Sequence, residues 1–206
     1  MKRIVFYLVR HGQTELNLAG VVQSTSDSPL TESGIRDAER AAQALKNVPI
    51  RKAYSSPYLR AYRTAEIILQ EHPSVSLKVH EGLREFDFGA LDGKYIADLQ
   101  DEFAARSKSG DFTDIGGESR ELMRERIRRT FAEIADTCED GDHVLIASHG
   151  EFCRQMIPGL FGIDDTEMRK QETSDFVPNG SITRFAYTDG VWQLLALPVI
   201  PEKFEP

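Results

Sequence analysis

Apolar residues fall in two periods along this chain. Residues 4–9 are apolar without interruption, rich in β-branched and aromatic side chains, and stop at Arg10-His11-Gly12. Such a run predicts a strand buried on both faces, as in a parallel sheet covered by helices. Residues 144–147 repeat the grammar and stop at Ser148-His149-Gly150. Shorter strand signals fall at residues 50–54 and 75–79. Elsewhere the period is helical. Thr31 caps a predicted helix through about residue 46, with Ile35, Ala38, Ala41, Ala42 and Leu45 on one face. Ser55-Ser56-Pro57 predicts a capped start for the next helix, with proline at its first position. That helix runs to about residue 71 and buries Leu59, Tyr62, Ala65 and Leu69. Residues 94–107 are moderately helical. Glu118 or Ser119 opens a long helix with Met123, Ile127, Phe131, Ile134 and Cys138 on one face, and another helix spans about 151–161. Residues 13–30, 81–93 and 109–117 read as connections, and a loop joins Phe161 to Asn179. Residues 181–187 and 191–197, joined by Thr188-Asp189-Gly190, predict a β-hairpin. Prolines 198, 201 and 206 predict an irregular tail over 198–206.

Strand and helix alternate through most of the chain. This predicts an α/β fold: a three-layer α/β/α sandwich with a mainly parallel sheet and a C-terminal antiparallel hairpin at the edge. The whole of 1–206 reads as a single domain, with residues 94–117 as a small cap insertion. Ligands of such sheets bind beyond the carboxyl ends of the strands. Two buried strands that each end in His-Gly would bring two imidazoles side by side there.

Composition narrows the function. The net charge of −8 argues against a nucleic-acid partner or an anionic membrane surface, which need a basic face. It leaves room for a small anionic substrate held by a few arginines. No stretch approaches the roughly 20 apolar residues of a membrane span. The apolar run after Lys2 and Arg3 is too short for a signal peptide, because Arg10 ends it. Cys138 and Cys153 have no metal-ligand spacing and make no disulfide framework, so a reduced, cytoplasmic setting is expected. The terminal hairpin leaves an edge strand that can pair between chains, so a homodimer is allowed for.

Leu8-Val9-Arg10-His11-Gly12-Gln13-Thr14-Glu15-Leu16-Asn17 resembles the opening motif of the histidine phosphatase superfamily, the phosphoglycerate mutase-like family. Asp27-Ser28-Pro29-Leu30-Thr31 is similar to the family's loop into its first long helix. The segment Ser55 to Glu66, carrying Arg60, resembles its second arginine segment. Leu83-Arg84-Glu85-Phe86-Asp87-Phe88-Gly89 resembles its acid-bearing segment. Gly116-Gly117-Glu118-Ser119 and Ser148-His149-Gly150 follow in family order. Each motif alone is weak; together they span roughly residues 4 to 190.

The chemistry of the residues agrees. Phosphoryl transfer needs an in-line nucleophile, donors around the phosphoryl oxygens and a proton for the leaving oxygen. A lone histidine at a strand end is more often a structural hydrogen-bonder than a nucleophile. Two His-Gly ends with Arg10 and Arg60 nearby reverse that balance and make His11 the nucleophile candidate. Arginine's planar fork suits phosphate oxygens. Arg60 sits in the first turn of its helix, where the dipole favours anions. His149 completes the cradle as a donor. Glu85 is the candidate general acid, with Asp87 close by in sequence. The resemblance implies phosphate contacts for Asn17 and Gly150 as well. Gln23 and Glu118 are candidate substrate contacts, each as easily loop scaffolding. Arg63 and Arg84 read as surface or ion-pair residues, Cys153 as core, and His72, His80 and His143 as exposed. His11, His149 and Glu85 could in principle ligate a metal. Arg10 and Arg60 would repel a cation, so neither a metal nor another cofactor is expected.

The resemblance implies two reactions on one scaffold, hydrolysis of phosphate monoesters or a bisphosphoglycerate-primed phosphoglycerate mutase. Mutases of the family carry a longer basic insertion after the acid. Here residues 93–117 are few, and only Lys94, Arg106 and Lys108 among them are basic. Ser24 stands where phosphatase relatives commonly carry glycine. A phosphatase acting on a phosphorylated small molecule is the favoured expectation. A mutase is the alternative, and an inactive phosphate-binding module is a third.

Overall fold

The computed structural model describes residues 1–163 and 176–206. The rest of the expected loop from Phe161 to Asn179 lies outside the described residues. Six strands form one sheet: β1 (Arg3–Arg10), β2 (Ile50–Ser55), β3 (Leu77–Val79), β4 (His143–Ser148), β5 (Ile182–Thr188) and β6 (Val191–Val199). The helices among the described residues are α1 (Glu15–Leu18), α2 (Glu32–Leu45), α3 (Leu59–Leu69), α4 (Gln100–Ser109), α5 (Arg120–Asp136) and α6 (Gly150–Phe161). The strand order is β3-β2-β4-β1-β5-β6. The first four are parallel, and β5 and β6 run antiparallel at the edge. The expected α/β architecture is what the chain adopts.

Alternation along β1 builds the two halves of the core. Ile4, Phe6 and Leu8 pack with Met123, Ile127 and Phe131 of α5 and Phe152 and Met156 of α6. Val5, Tyr7 and Val9 pack with Ala41, Ala42 and Leu45 of α2 and Ile68 of α3. A strand with apolar side chains on both faces needs both layers to keep water off it. Phe6 is fully buried and meets Phe185 at 5.1 Å, Trp192 at 5.5 Å and Phe131 at 5.8 Å. Offset and edge contacts of this kind add to the burial term. The hairpin turns as Asp-Gly sequences do, with Asp189 and Gly190 both at positive φ (45° and 94°).

Several expectations are corrected. The apolar stripe of α2 is turned so that Gly34 and Asp37 face inward and Ile35 is exposed. The helix must present a glycine to the loop after β1, and that fixes its rotation. In α3, Ala65 and Leu69 are buried as expected and are joined by Ala61, Thr64 and Ile68, while Tyr62 is half-buried and Leu59 is 55% exposed. Helix α3 starts at Leu59, two residues after Pro57, and its cap position is Tyr58 without a side-chain cap bond. Asp27, from the distant loop after β1, accepts the Leu59 N–H instead. The tail is more ordered than its prolines predict: β6 continues to Val199, and a 3-10 turn covers Pro201–Lys203. Pro198 sits on an edge strand, where a missing N–H is tolerated. Residues 13–30, expected as a connection, contain the short helix α1. His72 is buried rather than exposed, while His80 and His143 are half-buried and pair with Glu133 and Tyr7. Arg63 and Arg84 do pair on the surface, with Glu66 and Glu81, and Cys153 is in the core. Among the described residues, no helix is long and apolar enough to cross a membrane.

Candidate active site

Strands β1 and β4 are neighbours in register, Arg10 opposite Ser148, so the residues that follow them, His11 and His149, emerge together. The His11 N–H donates to Ser148 O at 2.9 Å, which locks the two strand ends. The imidazole centroids are 5.3 Å apart with the rings at 63°. His11 Nδ1 lies 2.8 Å from Gly12 O. A carbonyl can only accept, so Nδ1 carries the proton and Nε2 presents its lone pair. Burial first, then the charges of Arg60 and Arg10, hold the His11 pKa well below the usual histidine range. The ring is therefore neutral at physiological pH.

His149 has the opposite tautomer. Arg60 Nε donates to its Nδ1 at 3.1 Å, so Nε2 carries the proton and donates to Ser56 Oγ at 2.7 Å. Its pKa is also held well below the usual range, by burial first and then by Arg60, His11 and Arg10. The donor expected at a phosphate is thus engaged with Ser56 in this structure.

Arg60 is 1% exposed in the first turn of α3. Four hydrogen bonds hold it: Nε to His149, one terminal nitrogen to Ser26 O and Asp27 Oδ1, the other to Ser24 O. A guanidinium has five N–H groups, so one remains. The loop that receives these bonds is tied down by Asp92. Its carboxylate accepts from Ser24 N–H, Ser26 N–H, Ser26 Oγ and Thr25 Oγ1 at 2.7–2.8 Å. Burial alone would raise the Asp92 pKa, but these bonds, led by Ser24 N–H, outweigh it and hold it below the ordinary value. Ser24 is itself buried and bridges to the acid segment, donating to Phe86 O and accepting from Phe88 N–H. Ser24 is thus a tie between two loops.

Arg10 donates to Val177 O, while its Nε, also buried, has no hydrogen-bond partner among the described residues. Burial lowers its pKa, and the charge of Glu85 opposes that. Gly150 makes room for it: a Cβ at Gly150 would lie 3.2 Å from Arg10 Nε. Glu85 sits at the start of α6. Its oxygens accept N–H bonds from Phe86 (2.8 Å), Phe152 (3.0 Å) and Glu151 (3.2 Å). Arg126 of α5 fastens this segment by donating to the carbonyls of Gly82, Arg84 and Glu85 and to Glu118.

The remaining candidates serve the frame in this structure. Asn17 closes a capping box on α1, its Oδ1 accepting from Thr14 N–H and its Nδ2 reaching Gln23 at 3.4 Å. Gln23 is buried and bonded to Thr14 and Ser28. Glu118 pairs with Arg126 and accepts the Asp87 N–H. The structure thus brings His11, His149, Arg10, Arg60 and Glu85 to one sheet edge and uses Gln23 and Glu118 as ties between loops. Asp92, Thr64 and Arg126 belong to that frame without having been singled out from sequence. Arg126 had a readable signal, an arginine on the apolar side of α5 beside Met123 and Ile127. Among the described residues, no group of three His, Cys, Asp or Glu side chains could hold a metal ion.

Residues 6–199 match the model of the histidine phosphatase superfamily, branch 1. The chain is 34% identical over 191 residues to the probable phosphoglycerate mutase GpmB of Proteus mirabilis, covering 90% of this chain and 86% of that one. Its structure is similar to the phosphoglycerate mutase of Bacillus anthracis, with a TM-score of 0.83, 26% identity and coverage of 95% and 93%. It is also similar to a mycobacterial glucosyl-3-phosphoglycerate phosphatase complexed with VO3, with a TM-score of 0.80, 25% identity and coverage of 95% and 98%.

Proposed function

The chain belongs to the histidine phosphatase superfamily, branch 1, and from that premise we propose that it is a phosphomonoester hydrolase working through a phosphohistidine on His11. One observation carries the reading. The His11 tautomer is fixed by Gly12 O, and burial with the charges of Arg60 and Arg10 disfavours protonation of its ring, leaving the Nε2 lone pair for attack.

In the proposed first step His11 Nε2 attacks phosphorus in line with the ester oxygen. The P–N bond forms as the P–O bond breaks, and Glu85, as the acid, gives its proton to the leaving alcohol. In the second step Glu85 takes a proton from water, whose oxygen attacks phosphorus. The P–N bond breaks, inorganic phosphate leaves, and His11 returns to its neutral form. Arg10 supplies fork donors to the phosphoryl oxygens. His149 Nε2–H turns from Ser56 to a phosphoryl oxygen, beside the N-terminal turn of α6 at Gly150. Arg60 acts mainly through its charge and its one remaining N–H. Asn17 offers the second hydrogen of its amide at the rim. The substrate is read as a phosphorylated metabolite inside the cell, in keeping with the two unpaired thiols Cys138 and Cys153.

A mutase is the second reading, favoured by the likeness to proteins so named. The cap speaks for the hydrolase. Of its few basic side chains, Arg106 is tied to Glu102 and Asp114 and is not offered to a second acidic end of a substrate. Aryl phosphate hydrolysis in EDTA is expected for the parent protein and is expected to vanish in His11→Ala. Activity retained in that variant sinks the proposal. With 3-phosphoglycerate, release of phosphate supports the hydrolase. Formation of 2-phosphoglycerate on adding bisphosphoglycerate establishes the mutase instead.

A further inference from the structure

The carbonyl that fixes the His11 tautomer belongs to a peptide group held from its other end. Gly12 O accepts the His11 Nδ1–H at 2.8 Å. The N–H of that same peptide group, on Gln13, donates to Asp37 Oδ2 at 3.1 Å. Asp37 is 7% exposed and lies on the second turn of α2. Helix and loop meet closely enough to enforce this contact. A Cβ on Gly12 would fall 2.1 Å from Gly34 O, and a Cβ on Gly34 would fall 1.9 Å from Gln13 O. The preceding peptide group is fixed as well, its N–H donating to Thr64 Oγ1 at 3.1 Å and its carbonyl accepting from Asn179 Nδ2 at 2.9 Å.

We propose that Asp37 is a positioning residue for the nucleophile, acting on His11 through the Gly12–Gln13 peptide group. The inference rests on the reading of His11 as the attacking base. A carboxylate at the N–H end of a peptide group polarises it and makes its carbonyl oxygen a stronger acceptor, since hydrogen bonds in series reinforce one another in a low-dielectric interior. The consequence for His11 is twofold. The Nδ1–H tautomer is held, so Nε2 keeps its lone pair. As Nε2 bonds to phosphorus the ring gains positive charge, Nδ1–H becomes a better donor, and its bond to Gly12 O strengthens toward the transition state. In a serine-protease triad the carboxylate touches the imidazole directly; here one peptide group stands between them. Arg40 tempers the effect. Its guanidinium meets Asp37 Oδ1 at 2.6 Å and Glu202 at 2.9 Å, and it is half exposed.

Asp37→Asn separates charge from shape, because the amide oxygen can still accept the Gln13 N–H. The expected result is a fall in kcat of roughly ten- to a hundredfold with KM little changed, less than the loss from converting a directly bonded triad carboxylate to its amide. The His11 Nδ1–H proton resonance of the ligand-free, ring-15N-labelled protein is expected to move upfield. In Arg40→Gln, which leaves Asp37 its full charge, the same resonance is expected to move downfield. Both resonances unmoved, or an Asp37→Asn enzyme with unchanged kcat, would overturn the inference. If Asp37→Asn fails to fold, the Arg40→Gln resonance decides alone. Activity surviving in His11→Ala would instead sink the reading of the nucleophile. The resonances are read without substrate, so they report the coupling to His11 in either case.

Discussion

Arg60 Nε donates to His149 Nδ1 across 3.1 Å, and this bond decides which nitrogen of His149 can serve as a donor. The same guanidinium holds three oxygens of the 24–27 loop. A lysine keeps the charge but not the planar fork, so it cannot reach all four partners. Arg60→Lys is therefore expected to lower kcat/KM by roughly a hundred- to a thousandfold, the scale of losing a preorganised donor at a transition state. It should also make the 24–27 loop more open to proteolysis. Near-parental kinetics in this variant would show that charge alone suffices there.

Asp92 gathers the backbone and hydroxyl donors of Ser24, Thr25 and Ser26 on one carboxylate. That loop in turn receives Arg60. Asp92→Ala is expected to raise KM by about an order of magnitude while the fold persists, because loosened positioning costs binding and alignment. Steady-state kinetics beside a thermal melt checks this. A large fall in melting temperature with unchanged KM would mean that Asp92 supports the fold rather than the site.

Gly34 has no room for a side chain. A Cβ there would stand 1.9 Å from Gln13 O, a backbone atom that cannot swing aside. Gly34→Ala is expected to cost about 1–3 kcal/mol, as overpacking does. That corresponds to a fall in melting temperature of roughly 2–12 °C for a chain of this length. Calorimetry that finds no change would mean α2 can slide away from the loop.

The two buried histidines give stability a pH dependence whose sign follows from their shifts. Their folded pKa values lie well below the usual range, because burial and the nearby arginines oppose their protonation. In the unfolded chain they titrate near 6.5. Their contribution is complete above about pH 6.5 and is lost as pH falls below it, since the unfolded state then binds protons that the folded state refuses. Urea midpoints are expected to be level from pH 8 to 7 and to decline toward pH 5.5. His149→Gln should flatten that decline. A midpoint that rises on acidification would contradict the neutral forms of both rings.

Much of the fold was legible in the sequence because burial leaves a period. The unbroken runs of β1 and β4 and the stripe Met123, Ile127, Phe131, Ile134 each mark a surface that must be covered, and the structure covers them. The misreadings came where a neighbour overruled the local pattern. Ile35 yields the inner face of α2 to Gly34 and Asp37 because only glycine admits the Gly12–Gln13 backbone there. Ser55 and Ser56 give up the capping of α3 to Asp27, which arrives from 32 residues away.

The candidate site divides in the same way. His11 and His149 could be paired from sequence because two similar strands must end at one edge of a parallel sheet, and Arg10 and Arg60 were legible from the motifs around them. Tautomers and supports were not legible. That Nε2 of His11 is free depends on Gly12 O, that Nδ1 of His149 accepts depends on Arg60, and the loops are held by Asp92, Arg126 and Asp37. Each of these bonds joins groups whose geometry is set by the packing of separate elements, and a hydrogen bond forms only where donor and acceptor come within about 3 Å in line. Sequence determined which side chains reach the sheet edge; the packing of α2, α3 and α5 against it decided how each one is held.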